Sequence, residues 1–265
     1  MKEYHTGQIR NIALVSHNGA GKTTLVERLL FDTGVTTRMG SVQNGTAAMD
    51  FDEEEMNRNS SVSTAIAPIE WNKIKFNLLD TPGYIDFVGE VNSALKVAEG
   101  AVVLVEAVSG VEVGTEAVWQ SAKNYNRPRL LVVNKMDREN VNVNRVISSI
   151  NNNLDGNFIN LQLPIGEGNT FTGVVDLINL ETHTENGKKG SIPDDMADAI
   201  EEARVELVEV AAEGNDDLLM MYLEGEELSN EDIITGLKAA MQQGAAVPIV
   251  YCAPEKGIGV SALMD

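Results

Sequence analysis

Short, almost continuous apolar runs alternate with helical patterns along the first half of the chain. The runs at residues 9–15, 101–105 and 129–133 are typical of strands that are buried on both faces of a sheet. Apolar residues recur at helical spacing at 24–31, and a second helix is predicted at 112–124. Because strands and helices alternate, we predict an α/β fold with a doubly wound, mostly parallel sheet.

The segment between the first helix and the next strands has no sustained period. Residues 32–61 hold scattered glycines and an acidic run at 50–55, and such a long irregular segment in a compact domain is usually functional or mobile. A solvated surface excursion is the alternative. Two strands are predicted next, at 62–71 and 73–79, joined tightly at Asn72.

The pattern changes after residue 140. Polar residues interrupt the alternation, and a second set of elements follows. These are predicted strands at 158–165 and 171–180 and predicted helices at 194–213, 215–223 and 230–243. A buried strand at 247–252 then restores the first pattern. We therefore predict an inserted α+β subdomain at 155–244 within a domain formed by residues 1–154 and 245–265.

Composition narrows the classes of partner. The 265 residues include 43% hydrophobic residues, enough for a sizeable core, and 40 acidic against 20 basic side chains give a formal net charge of −20. This charge argues against a basic surface that wraps duplex DNA, so any contact with nucleic acid is expected to be local. One cysteine, Cys252, allows no intrachain disulfide, and no apolar stretch approaches the roughly 20 residues that span a bilayer. We expect a cytoplasmic protein without a membrane partner.

A glycine-rich stretch joins the first strand to the first helix. Its residues are Ser16, His17, Asn18, Gly19, Ala20, Gly21, Lys22, Thr23 and Thr24. In a phosphate-binding loop of this kind the backbone N–H groups surround the phosphates, Lys22 reaches the β- and γ-phosphates, and the Thr23 hydroxyl ligates Mg²⁺. The positive end of the helix faces the same phosphates. Ser16 stands where the usual pattern has glycine, and a glycine-rich turn without a ligand is the alternative.

A second motif, Asp80-Thr81-Pro82-Gly83, follows the predicted strand at 73–79. Ligands of doubly wound sheets bind at the carboxyl ends of the strands, where this motif falls. Asp80 is placed to bind Mg²⁺ through water, and the Gly83 N–H is placed to meet a γ-phosphate.

A third motif, Asn-Lys-Met-Asp at 134–137, follows the strand at 129–133. The Asp137 carboxylate can accept hydrogen bonds from guanine N1–H and the exocyclic amine, Asn134 can reach N7, and the Lys135 stem can lie along the base. Adenine has no such donor pair and would leave a desolvated Asp137 unpaired. Together the three motifs, each at a strand end, indicate a GTPase that uses GTP or GDP and Mg²⁺. A phosphate-loop kinase or ATPase is the structural competitor.

These motifs and several others resemble the nucleotide-binding domain of translational GTPases, in particular elongation factor G and its paralogues. The matching stretches lie at 21–24, 47–50, 80–83, 86–87, 110–112, 134–137, 161–166, 173–178 and 257–260, and cover essentially the whole chain. The resemblance implies a P-loop GTPase fold whose insertion is the extra subdomain of elongation factor G. It also implies a monomer with the ribosome as partner, with ribosomal RNA near the phosphate site and the stalk protein at the acidic helix 194–213. A solvated face is the other interpretation of that helix.

The resemblance bears on the end of the chain and on the loop that contacts the base. Family members continue into several further domains, so we interpret the chain as an excised GTPase module, and the parent's role in translocation, ribosome recycling or ribosome protection stays open. The guanine-contacting loop falls at 252–254, with Cys252 and Ala253 beside the base, rather than at Ser261-Ala262. Pro254 removes a backbone donor there, so a neighbouring N–H is expected to meet guanine O6.

The hydrolytic side departs from the family pattern. Tyr84 stands where the family has the histidine that positions the attacking water, although some paralogues share this tyrosine. Asn18 and Ser60 replace two apolar residues that border the site, and Ser61 replaces the threonine that ligates Mg²⁺. The residues expected to act in hydrolysis are Lys22, Gly83 and Tyr84. A phenol with a pKa near 10 is a poor base at neutral pH, which leaves two hypotheses: a GTPase, and a GTP-dependent binding module with negligible hydrolysis.

Overall fold

The structure, a computed structural model, describes residues 3–265. Its strands are β1 (Ile9–Ser16), β2 (Ala65–Trp71), β3 (Ile74–Asp80), β4 (Gly100–Glu106), β5 (Arg129–Asn134), β6 (Phe158–Asn160), β7 (Gln162–Ile165), β8 (Gly173–Asp176), β9 (Glu181–Thr184), β10 (Lys189–Gly190) and β11 (Val247–Tyr251). Its helices are α1 (Lys22–Asp32), α2 (Glu53–Arg58), α3 (Val88–Val97), α4 (Val113–Asn124), α5 (Val143–Asn153), α6 (Ala197–Glu213), α7 (Asp216–Leu223), α8 (Asn230–Gln243) and α9 (Val260–Met264).

A seven-stranded sheet forms the centre of the molecule. Its order is β2-β3-β1-β4-β5-β11-β6, and neighbours run parallel except for the antiparallel pair of β2 and β3. The predicted doubly wound, mostly parallel sheet is therefore confirmed. A second sheet, β10-β9-β8-β7, is antiparallel and belongs to the region after α5.

Alternate residues of β1 face opposite layers of the fold. Ala13 and Val15 are fully buried in a cluster that includes side chains of α3, α4 and α5. Leu14, between them, is buried against Leu25 of α1 and Val260 of α9. Because helices cover both faces of the sheet, its inner strands are apolar on both sides, which explains their nearly continuous apolar runs.

Helices α2, α3 and α5 were not anticipated from the pattern. In α5, Val143, Val146, Ile147 and Ile150 do recur at helical spacing and pack on the core, but most of the other residues are Asn and Ser, which have low helix propensity. α3 buries Val91, Ala94 and Leu95 around small and charged residues. α2 is a six-residue helix within the segment 32–61, which is otherwise largely irregular as expected.

The prediction of one strand at 158–165 is wrong. β6 extends the central sheet beside β11, and the chain then leaves that sheet at Leu161, so that β7 joins the small sheet. Hydrophobic alternation cannot show that a chain changes sheets. Since β6 lies inside the range 155–244, we propose that the insertion starts after β6; the division into a main domain and an insertion remains a proposal.

Helices α6 and α8 cross at very short distance in the insertion. A Cβ atom on Gly236 of α8 would collide with the carbonyl oxygen of Ala211 on α6. Around this crossing Leu207, Ile233 and Leu237 are buried in one apolar cluster. The predicted helix 194–213 is thus present as α6, preceded by a 3₁₀ turn at Asp194–Met196.

The insertion contacts the main domain through the turn between β9 and β10. Asn186 Oδ1 accepts a hydrogen bond from Arg28 Nη2 at 2.6 Å, and the Asn186 N–H donates to the Gly257 carbonyl at 3.0 Å. Arg28 also pairs with Asp32 on α1. The turn therefore holds both the helix that follows the glycine-rich loop and the loop that follows β11.

Candidate functional site

The glycine-rich loop is the turn between β1 and α1. Gly19 and Gly21 have φ angles of +81° and +95°, in the left-handed region that glycine adopts without steric cost. A Cβ atom on Gly21 would also lie 2.5 Å from Asn134 Nδ2. The loop and the Asn-Lys-Met-Asp motif at the end of β5 are therefore in direct contact, as their positions at strand ends predicted.

Lys22 lies buried at the centre of this loop, with 6% of its surface exposed. Its Nζ donates to Ser16 Oγ at 2.8 Å and to the His17 carbonyl at 3.4 Å. Burial lowers its pKa to about 8, against the opposing charges of Asp80 and Asp50. Ser16, which replaces the usual glycine, thus gives the ammonium group a partner inside the protein.

Oxygen-bearing side chains from three segments meet beside the loop. Thr23 Oγ1 lies 3.3 Å from Ser61 Oγ, and the Ser61 hydroxyl donates to Asp50 Oδ1 at 2.6 Å. Asp80, at the end of β3, is 1% exposed, and burial raises its pKa to about 7 against the opposing charge of Lys22. Neither Asp80 oxygen nor Asp50 Oδ2 has a hydrogen-bond partner among the described residues.

Such oxygens fit a hard divalent cation. A buried carboxylate without a partner is costly, and a cation would supply its missing interaction. Within residues 3–265 no group of three or more His, Cys, Asp or Glu side chains is placed to hold a metal ion. The sequence named Thr23, Ser61 and Asp80 for this role but missed Asp50, whose approach depends on how residues 40–50 fold back.

Gly83 packs directly against the loop. A Cβ atom at Gly83 would lie 2.6 Å from Asn18 Cα and 2.8 Å from Lys22 Nζ, so that a side chain there would push the two segments apart. The next side chain, Tyr84, is 45% exposed. Asn18 Oδ1 accepts a hydrogen bond from Ser60 Oγ at 3.3 Å. Asn18 and Ser60, which the resemblance places at the border of the hydrolytic site, are therefore in direct contact.

Asn134 connects three segments on the other side of the loop. Its Nδ2 donates to the Ala20 carbonyl at 2.7 Å, and its Oδ1 accepts from Cys252 Sγ at 3.2 Å. Both amide atoms are thus engaged within the protein, so Asn134 fixes the geometry of the loop and of the strand ends. This structural role was not anticipated from the motif, because it depends on where Cys252 lies.

Asp137 and Lys135 follow on the outside of the same turn. Lys135 has a left-handed backbone with φ of +59°, and its Nζ lies 3.1 Å from Glu106 Oε1. Asp137 Oδ2 lies 3.7 Å from Lys256 Nζ, and the Asp137 side chain is 13% exposed. A largely enclosed carboxylate with a single distant cation keeps its capacity to accept further hydrogen bonds.

The loop after β11 lies beside Asp137. Burial and the charge of Asp137 raise the pKa of the Cys252 thiol, which keeps it protonated. The Cys252 N–H donates to the Val133 carbonyl at 3.0 Å and the Ala253 N–H to the Ile258 carbonyl at 2.9 Å. These amides are used within the fold, and Pro254 has none, so Glu255 is the next residue with a backbone donor.

Many of the predicted residues line one cleft of about 530 Å³, although Asp80 and Tyr84 are not among its lining residues. It is lined by Asn18, Gly19, Gly21, Lys22, Thr23, Thr24, Met39, Gly40, Ser41, Val42, Gln43, Asp50, Asn59, Ser60, Ser61, Thr81, Gly83, Lys135, Arg138 and Glu255. A small depression beside it is lined by residues that include Asn134, Asp137 and Glu255. Ser16, Ala20, Cys252 and Ala253 lie buried behind these surfaces.

His17 faces away from the other loop residues toward α4. Its Nε2 lies 3.6 Å from Glu112 Oε1, and its Nδ1 is buried without a partner among residues 3–265. Gly114, near the start of α4, lies so close that a Cβ atom there would be 2.5 Å from His17 Nδ1. His17 therefore joins the loop to α4.

The part of the chain that the structure describes has no helix long and apolar enough to cross a bilayer.

Comparison with known proteins agrees with this geometry. A family model described as the Elongation factor Tu GTP binding domain matches residues 7–265. A crystal structure of a protein from Thermus thermophilus matches with a TM-score of 0.91 and 36% sequence identity. That match covers 97% of this chain and 39% of the other, so the chain spans well under half the length of that relative. The resemblance to an elongation-factor-G-like translational GTPase is confirmed, and the chain belongs to the family of Elongation factor Tu GTP binding domains.

Proposed function

We propose that this domain binds GTP with Mg²⁺ and hydrolyses it, as the GTPase module of a ribosome-associated, elongation-factor-G-like factor. The observation that carries the proposal is the convergence of Lys22, Thr23, Asp50, Ser61 and Lys135 on one cleft, directly beside a depression lined by Asn134 and Asp137. Phosphate, metal and base contacts thereby lie within the reach of a single nucleotide.

The phosphate side supports the chemistry of phosphoryl transfer, which needs positioning and charge stabilisation more than covalent participation. Lys22 exchanges its contacts with Ser16 and His17 for the β- and γ-phosphates. Thr23, Ser61 and Asp80 would hold Mg²⁺, with Asp50 aligning Ser61, and the bound ion would supply neutralisation of phosphate charge. The Gly83 N–H meets the γ-phosphate, and Tyr84 orients the attacking water through its hydroxyl.

The base side gives selectivity for guanine. Asp137 accepts from N1–H and the exocyclic amine, and Lys135 lies along the base, while Asn134 holds the surrounding loops. Because the Cys252 and Ala253 amides are already bonded, the N–H of Glu255 is the donor for guanine O6. Adenine would leave Asp137 unpaired and is therefore rejected.

Nucleotide state is signalled by the segments that carry Ser61 and Gly83. Binding of the γ-phosphate orders both segments, and hydrolysis releases them, as in other GTPase switches. The proposed partners are the ribosome, with ribosomal RNA near the phosphate site, and its stalk protein at α6. The domain acts as a monomer in the cytoplasm, and a ribosome-recycling or ribosome-protection factor is the alternative to a translocation factor.

Single-turnover cleavage of GTP, measured with and without ribosomes in the presence of Mg²⁺, tests the enzymatic part of the proposal. We expect slow cleavage by the isolated domain and faster cleavage with ribosomes. Absence of cleavage in both conditions would contradict a GTPase function for this domain.

A second candidate function is a GTP-dependent binding module with negligible hydrolysis. The hydrogen bond between Asn18 and Ser60 favours it, because it places two polar groups where the family has an apolar border around the attacking water. The same experiment separates the candidates, since a binding module would retain GTP uncleaved while still binding it tightly.

A further inference from the structure

Glu27 is a buried acid on α1 that the functions above do not use. It lies four residues after Thr23, on the same face of the helix, and only 1% of its surface is exposed. A carboxylate in such a place needs strong hydrogen-bond partners, because burying an unpaired charge is very costly.

Its partners are backbone N–H groups of the irregular segment that follows α1. Glu27 Oε1 accepts from Ala48 N at 2.6 Å and from Met49 N at 3.1 Å, and Oε2 accepts from Gly40 N at 3.1 Å. Hydrogen bonds to a charged acceptor are roughly twice as strong as those between neutral groups. One side chain thus fastens both ends of the ten-residue stretch 40–49 to the helix.

The sequence of that stretch fits this contact. A Cβ atom at Gly40 would collide with Glu27 Oε2, so the approach of the backbone requires glycine there. Gly40 also lines the nucleotide cleft, together with Ser41 and Val42. The contact therefore shapes one wall of the site.

The same contact leads directly to the metal side of the site. Met49 precedes Asp50, whose Oδ1 accepts the Ser61 hydroxyl at 2.6 Å, and Ser61 Oγ lies 3.3 Å from Thr23 Oγ1. A closed ring of contacts thus runs from Glu27 through residues 48–50 to Ser61 and back to α1 at Thr23.

We propose that Glu27 is a positioning residue that holds residues 40–49 on α1 and thereby sets Asp50 and Ser61 for Mg²⁺ and the γ-phosphate. The inference rests on the proposed function, since it names what aligns the proposed metal ligands. If Glu27 only stabilised the fold, its substitution would weaken the binding of every nucleotide together with the stability of the fold.

The variant Glu27→Gln keeps the size of the side chain but removes its charge. Its side-chain NH₂ group is a donor that would face one of the backbone N–H groups, so that contact could no longer be a hydrogen bond. In the nucleotide-free protein, we expect amide hydrogen exchange at Gly40, Ala48 and Met49 to become about tenfold faster, because three charge-assisted hydrogen bonds are weakened. We also expect the Mg²⁺ concentration for half-maximal GTP binding to rise about tenfold, or about 1.4 kcal/mol. Affinity for GDP changes by less than about twofold, because Ser61 is proposed to act on the γ-phosphate side.

Two further variants sharpen the test. Glu54→Gln removes an exposed acid of α2 that pairs with Arg58, and it should leave exchange at 40–49 and the Mg²⁺ requirement unchanged. Glu27→Asp retains the charge on a shorter side chain. Its Mg²⁺ concentration for half-maximal GTP binding should therefore lie between those of the wild type and Glu27→Gln.

The outcomes are distinguishable. Faster exchange with an unchanged Mg²⁺ requirement, or equal losses for GTP and GDP with a lower melting temperature, would overturn the positioning role. If the wild-type domain binds no GTP, the proposed function fails, and the exchange rates alone then decide whether Glu27 holds residues 40–49.

Discussion

Three side chains near the phosphate region, Asn18, Ser60 and Tyr84, are expected from the resemblance to elongation factor G to depart from the family pattern. Asn18 and Ser60 are joined by a hydrogen bond, and Tyr84, which follows Gly83 in the sequence, is exposed. None of the three is needed to hold phosphate, Mg²⁺ or guanine in the proposed site. We therefore expect substitutions at these positions to change the rate of cleavage more than the affinity for GTP.

Replacing Tyr84 by Phe removes only the hydroxyl that we propose orients the attacking water. We expect single-turnover GTP cleavage with ribosomes to slow by about tenfold, since loss of one positioning group commonly costs at least that much. Affinity for GTP should stay within about twofold, and Tyr84→His should cleave faster than Tyr84→Phe because the ring nitrogen can hold water. Equal cleavage rates in the wild type and both variants would show that this side chain does not orient the water.

Residues within a motif were predictable, and residues that approach from elsewhere were not. Lys22 and Asp80 follow from the order strand, loop, helix and from the position of a carboxylate at a strand end. Asp50 and Glu27 gain their roles only because residues 40–50 fold back onto α1. The spacing of residues in the local sequence does not indicate that residues 40–50 fold back onto α1.

At the scale of elements, the crossing of α6 and α8 shows how one glycine sets the distance between helices. Gly236 contacts the backbone of Ala211, so that the helices lie closer than side chains would allow. In a helix, alanine is otherwise favoured over glycine by about 1 kcal/mol. The sign of the change in the free energy of unfolding on Gly236→Ala therefore tests whether α6 and α8 lie this close together.

For Gly236→Ala we expect a loss of stability of about 1–3 kcal/mol, because the added methyl group forces the helices apart. Gly89→Ala in α3 is the matched control: no atom lies within 4 Å of its added Cβ, and it should be neutral or stabilising by up to about 1 kcal/mol. Urea denaturation of both variants measures the difference. A Gly236→Ala variant as stable as Gly89→Ala would contradict this helix contact.

Sequence patterns predicted the strands that are covered on both faces and missed several short or Asn-rich helices. β1, β4 and β5 stood out because they are covered on both faces. α5 was missed although Val143, Val146, Ile147 and Ile150 recur at helical spacing, because Asn and Ser dominate the rest of its sequence. The boundary between β6 and β7 is a change of sheet within one apolar run. Tertiary pairing decides such boundaries, and single-sequence periodicity does not contain it.

At the scale of the whole molecule, the net charge of −20 is concentrated in part on α6. Its exposed acids Glu201, Glu202 and Glu206 lie opposite the face that Leu207 and Ala211 bury. Composition alone gave the charge but not its location, which depends on how α6 packs on α8. The docking of Asn186 on Arg28 and Gly257 likewise joins residues far apart in sequence.

Changing Glu201, Glu202 and Glu206 to lysine should weaken binding to the ribosomal stalk protein by about tenfold or more at low salt, because complementary charge is replaced by like charge. The same three changes at Glu224, Glu226 and Glu227 alter net charge equally and serve as control. Equilibrium binding at two salt concentrations measures both variants. Unchanged binding by the α6 variant would contradict the docking role and show that the exposed acids of this helix are only solvated.

Asp137 is proposed to recognise guanine in a site that would also hold Mg²⁺ and phosphates. The most direct measurement is equilibrium binding of GTP, ATP and XTP, with Mg²⁺, to the wild type and Asp137→Ala. We predict about a 100-fold loss for GTP, since two hydrogen bonds to a charged acceptor are lost, and less than about a threefold loss for ATP and XTP. Equal losses for the three nucleotides would contradict the account.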